Sequence, residues 1–73
     1  MLDLRLVSDD HVRHYSIALS GSEGWEVQCE EDRALCWRER FTDWHRVERM
    51  RSRLEREVSA LIQLGWRLQP ISR

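Results

Sequence analysis

The sequence has no lysine: all 12 of its basic residues are Arg, set against 13 acidic residues for a formal charge of -1. A domain devoted to nucleic acid is usually net basic, and this balance argues against one. Proline occurs once and glycine three times, and charged residues make up 34% of a chain that is 41% apolar. That composition excludes a disordered or collagenous chain and fits a globular one. No apolar run approaches the ~20 residues of a membrane-spanning helix. The opening apolar stretch carries Asp3 and Arg5, so it reads as a strand and not as a signal peptide. Only two cysteines are present, Cys29 and Cys36. A small secreted domain usually needs a denser disulfide framework, so the expected compartment is cytoplasmic with both thiols reduced.

Several chemistries are also missing. There is no phosphate-binding glycine loop of either common type. Ser8, Asp9 and His11 lie close together, but in a turn with no provision for an oxyanion. His11 and His14, taken with Cys29 and Cys36, would be two His and two Cys, yet six residues separate the cysteines where zinc modules use two to four. The acidic run Glu30-Glu31-Asp32 lacks the spaced ligands of a calcium loop and reads as a solvated hairpin end or an acidic contact. The chain is therefore read as non-enzymatic, without metal or cofactor.

What is present is a strong pattern. Leu2, Leu4 and Leu6 alternate with Asp3 and Arg5, the signature of a half-buried strand. A second strand over 12–19 puts Tyr15, Ile17 and Leu19 on one face. A third over 25–30 aligns Trp25, Val27 and Cys29, and a fourth over 34–41 aligns Leu35, Trp37 and Phe41. Residues 20–24 contain two glycines and make the clearest turn. A three-residue loop at 31–33 would set Cys29 opposite Leu35, Val27 opposite Trp37 and Glu26 opposite Arg38. That register keeps both faces consistent and turns Cys29 and Cys36 to opposite faces.

From residue 43 the period becomes helical. Trp44, Val47, Met50, Leu54, Val58, Leu61 and Ile62 share one side of a helical wheel. Thr42 or Asp43 suits the N-cap, and Gly65 suits the residue after the C-cap, with Trp66 folded back on Leu61. Trp66, Leu68 and Ile71 form a short apolar tail, in which Pro70 argues against a long central strand. An amphipathic sheet and an amphipathic helix must cover each other. The expected fold is α+β, a single domain over residues 1–73: a four-stranded antiparallel meander followed by one long helix packed on the sheet.

The helix also carries Arg46, Arg49, Arg53 and Arg56 at i, i+3, i+7 and i+10, a stripe away from the apolar face. Residues 1–42 hold nine acids and five Arg, while residues 43–73 hold four acids and seven Arg, so the basic charge gathers on this half. Such a stripe suits carboxylates or phosphates. Trp44 at its start adds an aromatic, the residue type that joins Arg at interface centres. Arg51 and Glu39 break the apolar patterns of helix and fourth strand and are expected to pair at the sheet–helix margin.

The order Tyr15-x-Ile17-x-Leu19, Gly24-Trp25-x-Val27, Trp37-Arg38, Phe41 and a helix ending Leu64-Gly65-Trp66 resembles the WGR-type domain over residues 15–66. The tripeptide of that family's name is replaced here by Trp37-Arg38-Glu39. The resemblance implies contact with nucleic acid or with another domain. In type, the chain is also similar to small proteins of phages and mobile elements, which dock on host complexes such as RNA polymerase or a CRISPR effector. The sequence thus points first to a binding protein that regulates a larger partner with an acidic surface, through Arg46, Arg49, Arg53, Arg56 and Trp44. A WGR-like nucleic-acid module is the second reading. No membrane is implied, and an exposed strand edge leaves a homodimer open.

Overall fold

A computed structural model describes residues 2–21 and 24–69. The elements run β1 (Leu2–Ser8), β2 (His11–Ser20), β3 (Gly24–Glu31), β4 (Ala34–Phe41), α1 (Trp44–Gln63) and β5 (Arg67–Gln69). All strand pairings are antiparallel, in the order β4-β3-β2-β1-β5. The expected meander and helix are therefore present, extended by a fifth strand. β5 comes from the apolar tail and pairs Arg67, Leu68 and Gln69 with Val7, Leu6 and Arg5. It is three residues long and lies at the sheet edge. Pro70 and Ile71 themselves lie outside the described residues.

Helix α1 covers one face of the sheet. Leu6, Tyr15, Ile17, Val27 and Cys29 from the strands meet Val47, Leu54 and Val58 from the helix in a single buried cluster. Trp25, Trp37, Phe41, Met50, Leu61 and Trp66 pack around it. Leu19 shares the face of Tyr15 and Ile17 but lies beyond the reach of the helix and is 64% exposed.

Both helix ends follow the local chemistry. The Asp43 carboxylate accepts the backbone N–H of His45 at 2.9 Å, so Asp43 is the N-cap. At the other end Gly65 has φ +108°, its N–H donates to the Ile62 carbonyl, and the N–H of Trp66 donates to Leu61. This crossed pair is a Schellman ending, and it returns Trp66 to the core as expected.

The register between β3 and β4 differs from the expected one by two residues. Cys29 faces Trp37, Val27 faces Glu39, and Glu26 faces Arg40. Two causes add. The hairpin closes with two residues, Asp32 and Arg33, both at positive φ (52° and 71°), so Glu31 pairs Ala34 directly. The pairing then shifts between Cys29 and Glu30, leaving Cys36 as the extra residue of a β-bulge. The bulge also reverses the alternation. Leu35 pairs with Glu30 on the face away from the helix, is 50% exposed, and does not join Trp37 and Phe41. The Glu26–Arg38 ion pair survives as a diagonal contact at 3.3 Å.

Arg33 occupies a left-handed conformation that a side chain disfavours and glycine does not. Arg33→Gly is expected to stabilise the protein by about 1 kcal/mol, because Asp-Gly suits this turn. Chemical denaturation would show it as a higher midpoint at an unchanged slope.

Candidate functional site: the arginine face of the helix

The core of α1 is fixed by Val47, Leu54 and Val58, and its outer positions follow from that rotation. Arg46, Arg49, Arg53 and Arg56 are all exposed and form one stripe, as their spacing requires. Arg53 borders a shallow groove between helix and sheet edge, shared with Trp37, Glu39, Met50, Leu54 and Glu57. The stripe therefore lies on the side of the helix next to β4.

The carboxylates of the helix are engaged elsewhere. Glu48 accepts the indole N–H of Trp44 at 2.7 Å. Glu55 accepts from Arg51 at 3.0 Å, one turn away. Glu57 reaches across to the sheet, 3.6 Å from Arg13. Among the described residues none of the four stripe guanidiniums forms an ion pair. Four uncompensated guanidiniums thus stand in a row about 15 Å long, at 1.5 Å per residue.

Trp44 opens the helix two residues before Arg46 and so lies about 200° round the axis, on the flank it shares with Glu48 rather than in the stripe. It is 38% exposed, its ring tilted against Trp25 with centroids 5.2 Å apart. Its indole N–H is used within the helix, so it offers a partner an aromatic face held in place by Trp25.

The expected Arg51–Glu39 pair does not form. Arg51 lies on the flank of the helix away from β4 and bonds Glu55 instead. Glu39 lines the groove with Arg53 and Met50.

One functional-looking charge escaped the sequence reading. Arg13 sits in the core-facing row of β2 with Tyr15 and Ile17, and its Nη1 donates to the Tyr15 hydroxyl at 3.2 Å. Its guanidinium stands between Glu31 of β3 and Glu57 of α1, at 3.8 and 3.6 Å. Its Nε is buried without a hydrogen-bond partner. The geometry makes Arg13 a tie between sheet and helix. A basic residue at an inward strand position, with a lone Glu at the matching helix edge, was the signal that could have found it.

The two histidines are held separately. His14 bonds Asp3 of β1 across the open face of the sheet. His11 bonds Asp32 at 2.9 Å, and the Asp32 carboxylate also accepts the Val12 backbone N–H at 2.9 Å, tying the β3–β4 turn to the start of β2. The hydrogen bond and charge of Asp32 raise the His11 pKa above its ordinary 6.5, and the same contacts lower Asp32 below 3.8. The sign follows for each group. His11 favours the folded state below pH 6.5 and loses that effect as pH rises through its raised value. Asp32 favours it above 3.8 and loses that effect as pH falls through its lowered value. The pair thus supports the turn most between those two values. A nuclear magnetic resonance titration is expected to put the His11 midpoint above 6.5, and Asp32→Asn to bring it down.

No family model matches the chain, and no curated protein or solved structure matches it.

Proposed function

We propose that this chain is a small binding protein without enzymatic activity that regulates or inhibits a larger protein complex. It docks the Arg46, Arg49, Arg53 and Arg56 face of α1 onto an acidic surface of that partner, with Trp44 reaching the contact from the other flank at the start of the helix. The observation that carries the reading is the uncompensated stripe. Glu48, Glu55 and Glu57 are each committed to another group, so the helix does not neutralise its own Arg row. Planar guanidiniums left free in this way suit bidentate contact with carboxylates. The net charge of -1 supports a protein partner over a nucleic acid.

The same unpaired row suits phosphates, which keeps a WGR-like contact with nucleic acid as the second reading. A single experiment separates them. Tagged wild type and an Arg46→Ala, Arg49→Ala, Arg53→Ala, Arg56→Ala variant are used as baits in cell lysate, with and without nuclease. The expected outcome is a protein that survives nuclease and is lost with the variant, whose fold circular dichroism shows to be intact. Binding of that purified protein is then expected to weaken at least tenfold in the variant. Nucleic acid alone, released steeply by salt, would replace this reading with the second. Identical partners on both baits would reduce the stripe to a solvated surface.

A further inference from the structure

The β-bulge brings the two cysteines of the chain together. Its defining geometry sets two residues of one strand against one residue of the other, and here Cys36 and Trp37 of β4 oppose Cys29 of β3. The bulge overturns the opposite-face placement that strict alternation predicts for these cysteines. Opposed residues of adjacent antiparallel strands have Cα atoms roughly 4.5–5.5 Å apart, inside the roughly 4.4–6.8 Å span of disulfides. Both thiols are free, and they differ sharply in access. Cys29 is buried in the core cluster, while Cys36 is exposed, its thiol in weak contact with the Ala34 carbonyl at 3.9 Å.

We propose that Cys29 and Cys36 are a modification site, which a small-molecule disulfide such as oxidised glutathione converts into an intramolecular disulfide across the β3–β4 bulge.

The difference in exposure assigns the order of events. The Cys36 thiol gives up its proton and attacks one sulfur of the glutathione disulfide. A mixed disulfide forms, and the first glutathione leaves as a thiolate that takes up a proton. Cys29 never has to meet the oxidant. Its thiol loses a proton and attacks the Cys36 sulfur from inside, forming the Cys29–Cys36 bond. The second glutathione leaves and is protonated in turn. Two protein thiols are oxidised by two electrons, and one glutathione disulfide is reduced to two glutathiones. The nearness of Cys36 also adds to the effect of burial in raising the pKa of Cys29. A buried thiol of that kind is a poor attacker of an outside oxidant, and its attack on Cys36 rests on the nearness of the two sulfurs across the bulge.

The test uses the whole chain incubated with oxidised glutathione, followed by alkylation and trypsin without reduction. Cleavage after Arg33 separates the cysteines, so the disulfide is read as a cross-linked pair of peptides, 14–33 and 34–38. The expected result is this pair from a protein that stays monomeric by non-reducing electrophoresis. Cys29→Ala should instead stop at the glutathione adduct on Cys36. Cys36→Ser should leave Cys29 unmodified in the folded protein. A stable Cys36 adduct in wild type with Cys29 still reduced would overturn the proposal. So would a Cys36-linked dimer.

Discussion

Replacing Tyr15 with alanine is expected to cost about 4 kcal/mol, the usual penalty for removing a buried aromatic side chain. Tyr15 is the largest fully buried side chain among the described residues. It pairs with Leu4 on β1 and Cys29 on β3, in the middle of the face covered by α1. A domain of this length has a total stability of about 4–11 kcal/mol, so the variant should lose between about a third of it and all of it. Leu19→Ala, four residues along the same strand face, removes a side chain that the helix does not cover. Its cost should stay within about 0.5 kcal/mol. Urea titrations followed by tryptophan fluorescence distinguish the two. Comparable losses at both positions would mean that the core does not centre on Tyr15.

Alkaline pH is expected to destabilise the protein by several kcal/mol. Burial pushes the Tyr15 hydroxyl from its ordinary 10.0 up to about 12, and the Glu57 charge adds to the effect. Burial, with the neighbouring Cys36, pushes the Cys29 thiol from 9.0 up to about 11. Both groups are therefore held neutral in the folded state, while the unfolded chain releases their protons at the lower values. Tyr15 and Cys29 leave stability unchanged below pH 9, and their contribution is lost as pH rises through the gap between each pair of values. Each gap corresponds to about 3 kcal/mol at full ionisation. Stability measured by urea between pH 8 and 12 should show the loss, with protons taken up on folding over that range. Tyr15→Phe should remove the upper part of the loss and Cys29→Ala the lower part. A flat profile above pH 9 would show that neither group is shielded from solvent.

The sheet and helix were legible because their periods are clean. Leu2, Leu4 and Leu6 alternate without interruption, and the apolar stripe from Trp44 to Leu61 keeps its phase through five turns. The arginine face was legible for the same reason, since its helical phase follows from that of the core. Gly65 and Trp66 marked their own ending, because the left-handed residue that closes a helix is most often glycine.

Register was harder to read. A two-residue hairpin turn is normally announced by Asn-Gly or Asp-Gly, and here Arg33 holds the second place. The bulge at Cys36 has no signature in residue type; it is a property of the pairing. With both hidden, Leu35 was assigned to the covered face and Cys36 to the far one. β5 was obscured by its length, since three residues carry too little alternation to be recognised. Arg13 was obscured by its charge, because an inward-facing cation looks like a defect in the pattern until Glu57 is seen across the interface. Arg51 and Glu39 show the converse case. Both interrupt an apolar pattern, but they lie on opposite flanks of the helix.

The pairing of β5 with β1 has a kinetic consequence. Every other strand pair joins neighbours in the chain, so the meander can zip up through short loops, each closed at little entropic cost. The contact of Arg5 with Gln69 spans nearly the whole chain and requires the helix to be laid down first. It belongs at the end of folding, after the barrier set by the local hairpins has been crossed. Its hydrogen bonds should also be the earliest to open in the native state. Loss of β5 would accordingly speed unfolding more than it slows folding.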